Sequence, residues 1–181
     1  MRLHLVRHPA PLAAPGVCYG RSDLGVDPAV QRAALEGLRA RLPVSAPLYS
    51  SPLQRCALLA AALAGDAARL DARLAELDFG AWELRAWDDI ARGEVDAWAA
   101  DMAHYRPGGG ESVAAMAQRV SAFYDELLCA AHTDAIIICH AGTIRLLMAR
   151  ARGLDPSGMA LEAAARPHAI AYGEVVLLDC V

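Results

Sequence analysis

Arg7, His8 and His140 are the residues best placed to do chemistry, because each closes a short apolar run: Leu3-His4-Leu5-Val6-Arg7-His8 and Ala135-Ile136-Ile137-Ile138-Cys139-His140. A neutral imidazole nitrogen is nucleophilic near neutral pH and can accept a phosphoryl group. Phosphoryl transfer spreads charge over three equatorial oxygens, so catalysis is largely positioning and electrostatic stabilisation. Arg7, Arg55 and a protonated His140 would supply fixed positive charge without a metal. The departing alkoxide needs a proton, which a carboxylic acid can give. Three acids compete for that part, Glu76, Asp78 and Glu83, in a stretch where Phe79 and Trp82 could desolvate a carboxyl and raise its pKa.

These residues meet only if particular elements carry them. Each apolar run has the composition of a strand buried on both faces. Parallel in one sheet, the two strands would bring their carboxyl ends, and so both imidazoles, to the crevice where open α/β sheets bind ligands. The proline-rich stretch 9–16 and its continuation to Asp23 read as a ligand-binding loop. Asp27-Pro28 signals a helix to about Arg41, and Ser51-Pro52 a helix to about Leu63 with Gly65 as its stop. Between them lies a short strand, 47–50, and a brief edge strand is expected over 67–70. Residues 87–103 read as a helix interrupted near Gly93. Ser112 caps a long helix to about His132, with Val113, Met116, Val120, Phe123, Leu127 and Leu128 on its buried face. Helices over 144–151 and 156–165 and a last strand over 174–180 complete the pattern. It implies a single domain over 1–181, a three-layer α/β/α sandwich with a mainly parallel central sheet.

Composition narrows the partners. The 181 residues carry a net charge of −4, and all 17 basic side chains are arginine, so nothing resembles the basic stripe of a nucleic-acid binder. No apolar run approaches the ~20 residues of a membrane span, and no leader is visible, which implies a cytoplasmic protein without a membrane partner. The five cysteines form no C-x-x-C pair, and no Cys/His cluster has zinc spacing, so no metal and no cofactor are expected. A homo-oligomer is compatible with the sequence.

The motifs resemble those of the histidine phosphatase superfamily, also called phosphoglycerate mutase-like. Leu5-Val6-Arg7-His8 is similar to the signature whose histidine is phosphorylated, and Ser50-Ser51-Pro52-Leu53-Gln54-Arg55 to the second-arginine motif. Glu76-Leu77-Asp78-Phe79-Gly80-Ala81-Trp82-Glu83 matches the segment whose first glutamate donates the proton, which selects Glu76. Cys139-His140-Ala141-Gly142-Thr143-Ile144-Arg145 resembles the second-histidine motif, and Gly109-Gly110-Glu111-Ser112 another recurring element. Gly16-Val17-Cys18-Tyr19-Gly20-Arg21-Ser22-Asp23 looks like the α-ribazole phosphatase branch, whose members remove the 5′-phosphate of α-ribazole phosphate in cobalamin nucleotide-loop assembly.

The resemblance implies a metal-independent phosphomonoesterase in which His8 forms a phosphohistidine, Glu76 and His140 complete the catalytic set, and Arg7 and Arg55 bind phosphate. Arg21, Ser22 and Glu111 stand as candidate substrate contacts, and a small phosphorylated molecule as the partner. Trp82, Trp87, Trp98 and Tyr105 could stack on an aromatic base. Three features depart from the pattern: Pro9 replaces the usual glycine, prolines and alanines replace a Thr and an Asn that usually follow, and Leu84 replaces a frequent glycine. The alternatives are a mutase or another small-molecule phosphatase with the same pocket, and a non-catalytic phosphate-binding module. The short chain favours hydrolysis over mutase chemistry.

Overall fold

The computed structural model describes residues 1–165 and 168–180. Five strands form one sheet in the order β3-β2-β4-β1-β5. They are β1 (Arg2–Arg7), β2 (Leu48–Ser50), β3 (Arg69–Leu70), β4 (Asp134–Cys139) and β5 (Val175–Asp179). All neighbours run parallel except β5, which lies antiparallel against β1 at one edge. The chain therefore adopts the expected α/β/α sandwich with a mainly parallel sheet.

Alternation along the central strands divides the core between two layers. Leu3, Leu5, Ala135, Ile137 and Cys139 pack on one side. They meet α4 (Val113–Leu128), α5 (Ala141–Ala151) and α6 (Pro156–Ala165). Val6, Ile136, Ile138 and Leu48 pack on the other side, against Leu38, Cys56, Leu59 and Ala60. Those side chains belong to α1 (Pro28–Arg39) and α2 (Gln54–Ala64). A smaller cluster outside the sheet gathers Cys18, Trp82 and Ile90 with Trp87, Trp98 and Tyr105. It seats α3 (Arg92–Ala100) beside the carboxyl edge.

Capping explains several boundaries. Asp27 accepts from the N–H groups of Ala29 and Val30, and Ser112 from that of Ala115, so α1 and α4 begin where their signals stand. The helix expected at Ser51 begins three residues later, because Ser51 is not its cap; Leu53 is, without a side-chain bond. The break expected at Gly93 falls instead between a 3₁₀ turn over 87–89 and α3, leaving Gly93 inside the helix. Helix α4 ends at Leu128 rather than near His132. Among its expected core residues, Leu128 is exposed and Val113 only partly buried. No helix among the described residues is long and apolar enough to cross a membrane.

Candidate active site

Register brings the two histidines together. Arg7 is paired with Cys139 across the parallel β1–β4 ladder, so the next residues, His8 and His140, leave the two strands side by side. The His8 N–H still donates to the Cys139 carbonyl at 3.0 Å, which extends the ladder one step. Their ring centroids are consequently 5.0 Å apart, about the spacing of adjacent strands. Both side chains are buried, at 3% and 0% exposure.

The His8 tautomer is fixed by its backbone. Nδ1 lies 2.7 Å from the Pro9 carbonyl oxygen, and a carbonyl can only accept. Nδ1 therefore carries the proton, and Nε2 keeps its lone pair for attack. Proline at position 9 removes an N–H but leaves this carbonyl in place. Burial, helped by Arg55 and Arg7 and opposed by the Pro9 bond, lowers the His8 pKa to about 3. His8 is neutral at physiological pH, with Nε2 unprotonated.

His140 is also neutral, which corrects the expectation of a protonated second histidine. Burial pushes its pKa well below the ordinary value, and His8, Arg55, Arg119 and Arg7 add repulsion. Its Nε2 meets the Ser51 hydroxyl at 2.8 Å and the Cys56 sulfur at 3.6 Å. That contact occupies Ser51, which sequence reading assigned to a helix cap.

The cationic groups are held by backbone carbonyls. Arg55 is completely buried in the first turn of α2, and its guanidinium donates to Ser22 O at 2.7 Å and Gly20 O at 2.5 Å. Arg7 donates to Ile170 O at 2.5 Å and lies 3.8 Å from the centre of the Tyr172 ring. The Tyr172 hydroxyl is 2.7 Å from that of Tyr19, so the two loops flanking the site touch above it. Nε of Arg7, Nε of Arg55 and Nδ1 of His140 are buried and make no protein hydrogen bond. Buried polar atoms without partners are costly; the two arginine Nε–H groups, and Nδ1–H of His140 in the tautomer whose Nε2 accepts from Ser51, are donors that an oxyanion would satisfy.

Glu76 is the acid that reaches this place. Arg7, His8, Arg55, Glu76 and Arg145 line one cavity of about 370 Å³. Its apolar wall includes Leu77, Phe79, Trp98, Met102, Met116 and Leu146. A more open depression of about 580 Å³ adjoins it and shares Arg145, Ala163 and His168, but contains neither His8 nor Glu76; His140, wholly buried, lines neither and sits behind His8. Asp78 is taken up by the Gly80 N–H. Glu83 accepts from the N–H groups of Phe79, Gly20, Arg21 and Ser22 and from the Ser22 hydroxyl. Burial alone would raise the Glu83 pKa, but these bonds outweigh it and the pKa is lowered. Glu83 is therefore an ionised clamp on the loop over 20–22.

The candidate substrate contacts fall elsewhere. Arg21 is exposed and reaches Glu83 through its backbone N–H, while the Ser22 hydroxyl also goes to Glu83. Ser22 contributes to the site indirectly, through the carbonyl that holds Arg55. Glu111 binds Arg119 with both carboxylate oxygens, at 2.8 and 2.7 Å, and does not line the cavity. Of the four aromatics expected to stack on a base, only Trp98 reaches the cavity wall. Trp82, Trp87 and Tyr105 pack among themselves. Arg119, Gly142, Tyr172 and Arg145 belong to this region without having been singled out from the sequence; Gly142 and Arg145 carried a signal, since both stand in the second-histidine motif.

The family model of the histidine phosphatase superfamily (branch 1) matches residues 3–170. The chain belongs to this superfamily. Its structure is similar to the α-ribazole phosphatase from Shigella flexneri, with a TM-score of 0.83 and 28% identity over 99% of this chain and 90% of the other. It is also similar to the mycobacterial glucosyl-3-phosphoglycerate phosphatase solved with VO3, with a TM-score of 0.78 and 25% identity over 98% and 92% of the two chains. A protein from Thermus thermophilus follows at a TM-score of 0.71 and 29% identity over 99% and 94%. No curated protein sequence matches. Both neighbours named for an activity are phosphatases, and enzymes of this kind act on small phosphorylated molecules. Among the described residues no cluster of three or more His, Cys, Asp or Glu could hold a metal ion.

Proposed function

We propose that this histidine phosphatase hydrolyses phosphomonoesters through a phosphohistidine on His8. The carrying observation is the His8 ring, buried 5.0 Å from His140 with Nδ1 held on Pro9 O. In the first step Nε2 of His8 attacks phosphorus in line, the P–N bond forms, and the ester P–O bond breaks. Glu76 gives its proton to the leaving oxygen. Arg7, Arg55 and His140 hold the equatorial oxygens, and the positive charge on the phosphorylated ring is shared with Pro9 O through Nδ1–H. In the second step water attacks phosphorus, Glu76 takes its proton, and the P–N bond breaks to release inorganic phosphate. Each part uses side chains already present, so the reading requires no metal.

The substrate we propose is α-ribazole 5′-phosphate, in cobalamin nucleotide-loop assembly. Supporting this are the Gly16–Asp23 resemblance, the likeness to the Shigella flexneri enzyme, and the apolar wall of Leu77, Phe79, Trp98 and Met102, which suits an aromatic base better than a polyol. The five cysteines are all free, which suits a reducing compartment and the proposed cytoplasmic location. One observation favours a second reading. Arg145 lines the same cavity as Arg7 and Arg55, and a third arginine there would suit a phosphoglycerate-like substrate with its own carboxylate, as in a mutase or another small-molecule phosphatase.

Phosphate release from α-ribazole 5′-phosphate, glucosyl-3-phosphoglycerate and 3-phosphoglycerate, each with EDTA, tests both readings. The highest kcat/KM is expected on α-ribazole 5′-phosphate, unchanged by chelation and abolished by His8→Ala. Preference for the phosphoglycerates would establish the second reading. Full activity in His8→Ala, or its loss on chelation, would reject the mechanism.

A further inference from the structure

Gly142 is the second residue of α5, and its backbone needs no glycine: its φ is not among the positive ones. Helix propensity gives glycine no advantage over alanine there; in a helix interior it costs about 1 kcal/mol. What the position cannot hold is a Cβ. One built there would lie 2.3 Å from Glu76 Oε1, 3.1 Å from Cδ and 3.3 Å from Oε2. The Glu76 carboxyl lies against the bare Cα, where the Gly142 N–H donates to Oε2 at 3.1 Å and the Leu77 N–H to Oε1 at 3.0 Å. The positive end of the helix faces the same group.

The segment carrying Glu76 is held from its other side. Residues 73–76 lie outside any sheet, yet their carbonyls are bonded. Arg119 donates to Arg73 O and Ala75 O at 2.7 Å each and to Glu76 O at 3.2 Å. The Thr143 hydroxyl reaches Leu74 O at 3.2 Å. Glu111 fixes the guanidinium of Arg119 by a bidentate pair whose side chains are 15% and 16% exposed. Such a fork sets direction as well as charge. The Gly-Gly-Glu-Ser element thus ends on the segment bearing Glu76 and leaves the cavity wall to others.

We propose that Gly142 and the Glu111–Arg119 pair are positioning residues that set the Glu76 carboxyl against the leaving oxygen, and so determine activity on esters of poorly acidic alcohols. The proposal rests on the reading of Glu76 as proton donor. A misplacement near 1 Å can cost about 100-fold where a proton must pass in the transition state, and nothing where the leaving group needs none.

The test compares kcat/KM, which reports only the steps through phosphoryl transfer, on an alkyl phosphate and on 2,4-dinitrophenyl phosphate. Glu76→Gln should lower the alkyl-to-aryl ratio by about 10²–10⁴-fold, the ordinary range for general acid catalysis. Gly142→Ala should lower the same ratio by about 10–100-fold while melting no lower than the parent. The colliding atom is the far end of a flexible side chain, so Glu76, not the helix, gives way. Glu111→Gln should lower the ratio in the same direction. Should Gly142→Ala fold poorly, Glu111→Gln decides alone. An unchanged ratio in these variants beside a collapsed one in Glu76→Gln would overturn the positioning role. An unchanged ratio in Glu76→Gln itself would remove the proton-donor reading, and this inference with it.

Discussion

Burying His140 as a neutral ring ties folding to pH. The side chain has no exposure, and desolvation, with four nearby basic groups, drives its pKa well below 6.5. In the unfolded chain the ring titrates near its ordinary value. Between the two pKa values the unfolded state holds a proton that the native state refuses, so stability falls as pH falls. The loss starts near 6.5 and continues down towards the native pKa. At about pH 5, some 1.5 units below the unfolded pKa, a native state whose ring is still neutral has lost about 2 kcal/mol through this group, at about 1.4 kcal/mol per unit. Urea unfolding of the parent and of His140→Asn at about pH 8 and pH 5 isolates the contribution, because other groups titrate in both proteins. The parent should lose about 2 kcal/mol more than the variant between the two conditions. Equal losses would mean that His140 is solvated or already protonated in the native state. Saturating phosphate should flatten the parent's slope, since an anion in the cup lets the ring take its charge.

Arg55→Lys keeps the charge but loses the fork that holds Gly20 O and Ser22 O; kcat/KM should fall by about 10²–10³-fold, the cost of removing one oxyanion donor. Steady-state kinetics check this. Trp82 is fully buried and its indole N–H donates to Glu94 at 2.8 Å. Trp82→Ala should therefore destabilise the fold by about 3–5 kcal/mol in denaturant unfolding. Leu84 has a φ of 63° and is 59% exposed, so Leu84→Gly should stabilise by about 1 kcal/mol by relieving the left-handed backbone. Glu83→Gln replaces one of the two carboxylate oxygens that bind the loop over 20–22 with an NH2 group and removes the charge; KM should rise more than kcat falls, because Arg55 hangs from that loop.

Much of the site could be read from residue order because strand geometry is simple. Apolar runs ending in His8 and His140 required only parallel pairing for the rings to meet, and the ladder supplies it. Arg55 stood after a short strand at a helix start, a place that suits an anion site or a solvated arginine equally, and the second-arginine motif selected it. What could not be read depended on contacts across loops. Ser51 before Pro52 looks like a cap in one dimension; in three its hydroxyl takes the Leu53 N–H at 3.3 Å and also meets His140, and the helix starts only at Gln54. Glu76, Asp78 and Glu83 are alike in composition and all three accept from backbone N–H groups; only position separates the one that lines the cavity from the two that do not. Leu84 occupies a left-handed position, which gives a physical reason for the glycine common there in the family. The charge of His140 was misjudged because burial, which a residue list does not show, outweighs the ring's ordinary affinity for a proton.

The central claim is that His8 bonds phosphorus, and trapping that bond tests it most directly. The enzyme would be mixed with a phosphomonoester, quenched in alkali where phosphohistidine survives, digested and mapped by mass spectrometry. The account expects one phosphoryl group on the peptide containing His8, at Nε2, with the label absent in His8→Ala. A phosphoryl group on any other residue, or rapid turnover in the parent with His8 unmodified throughout, would contradict it.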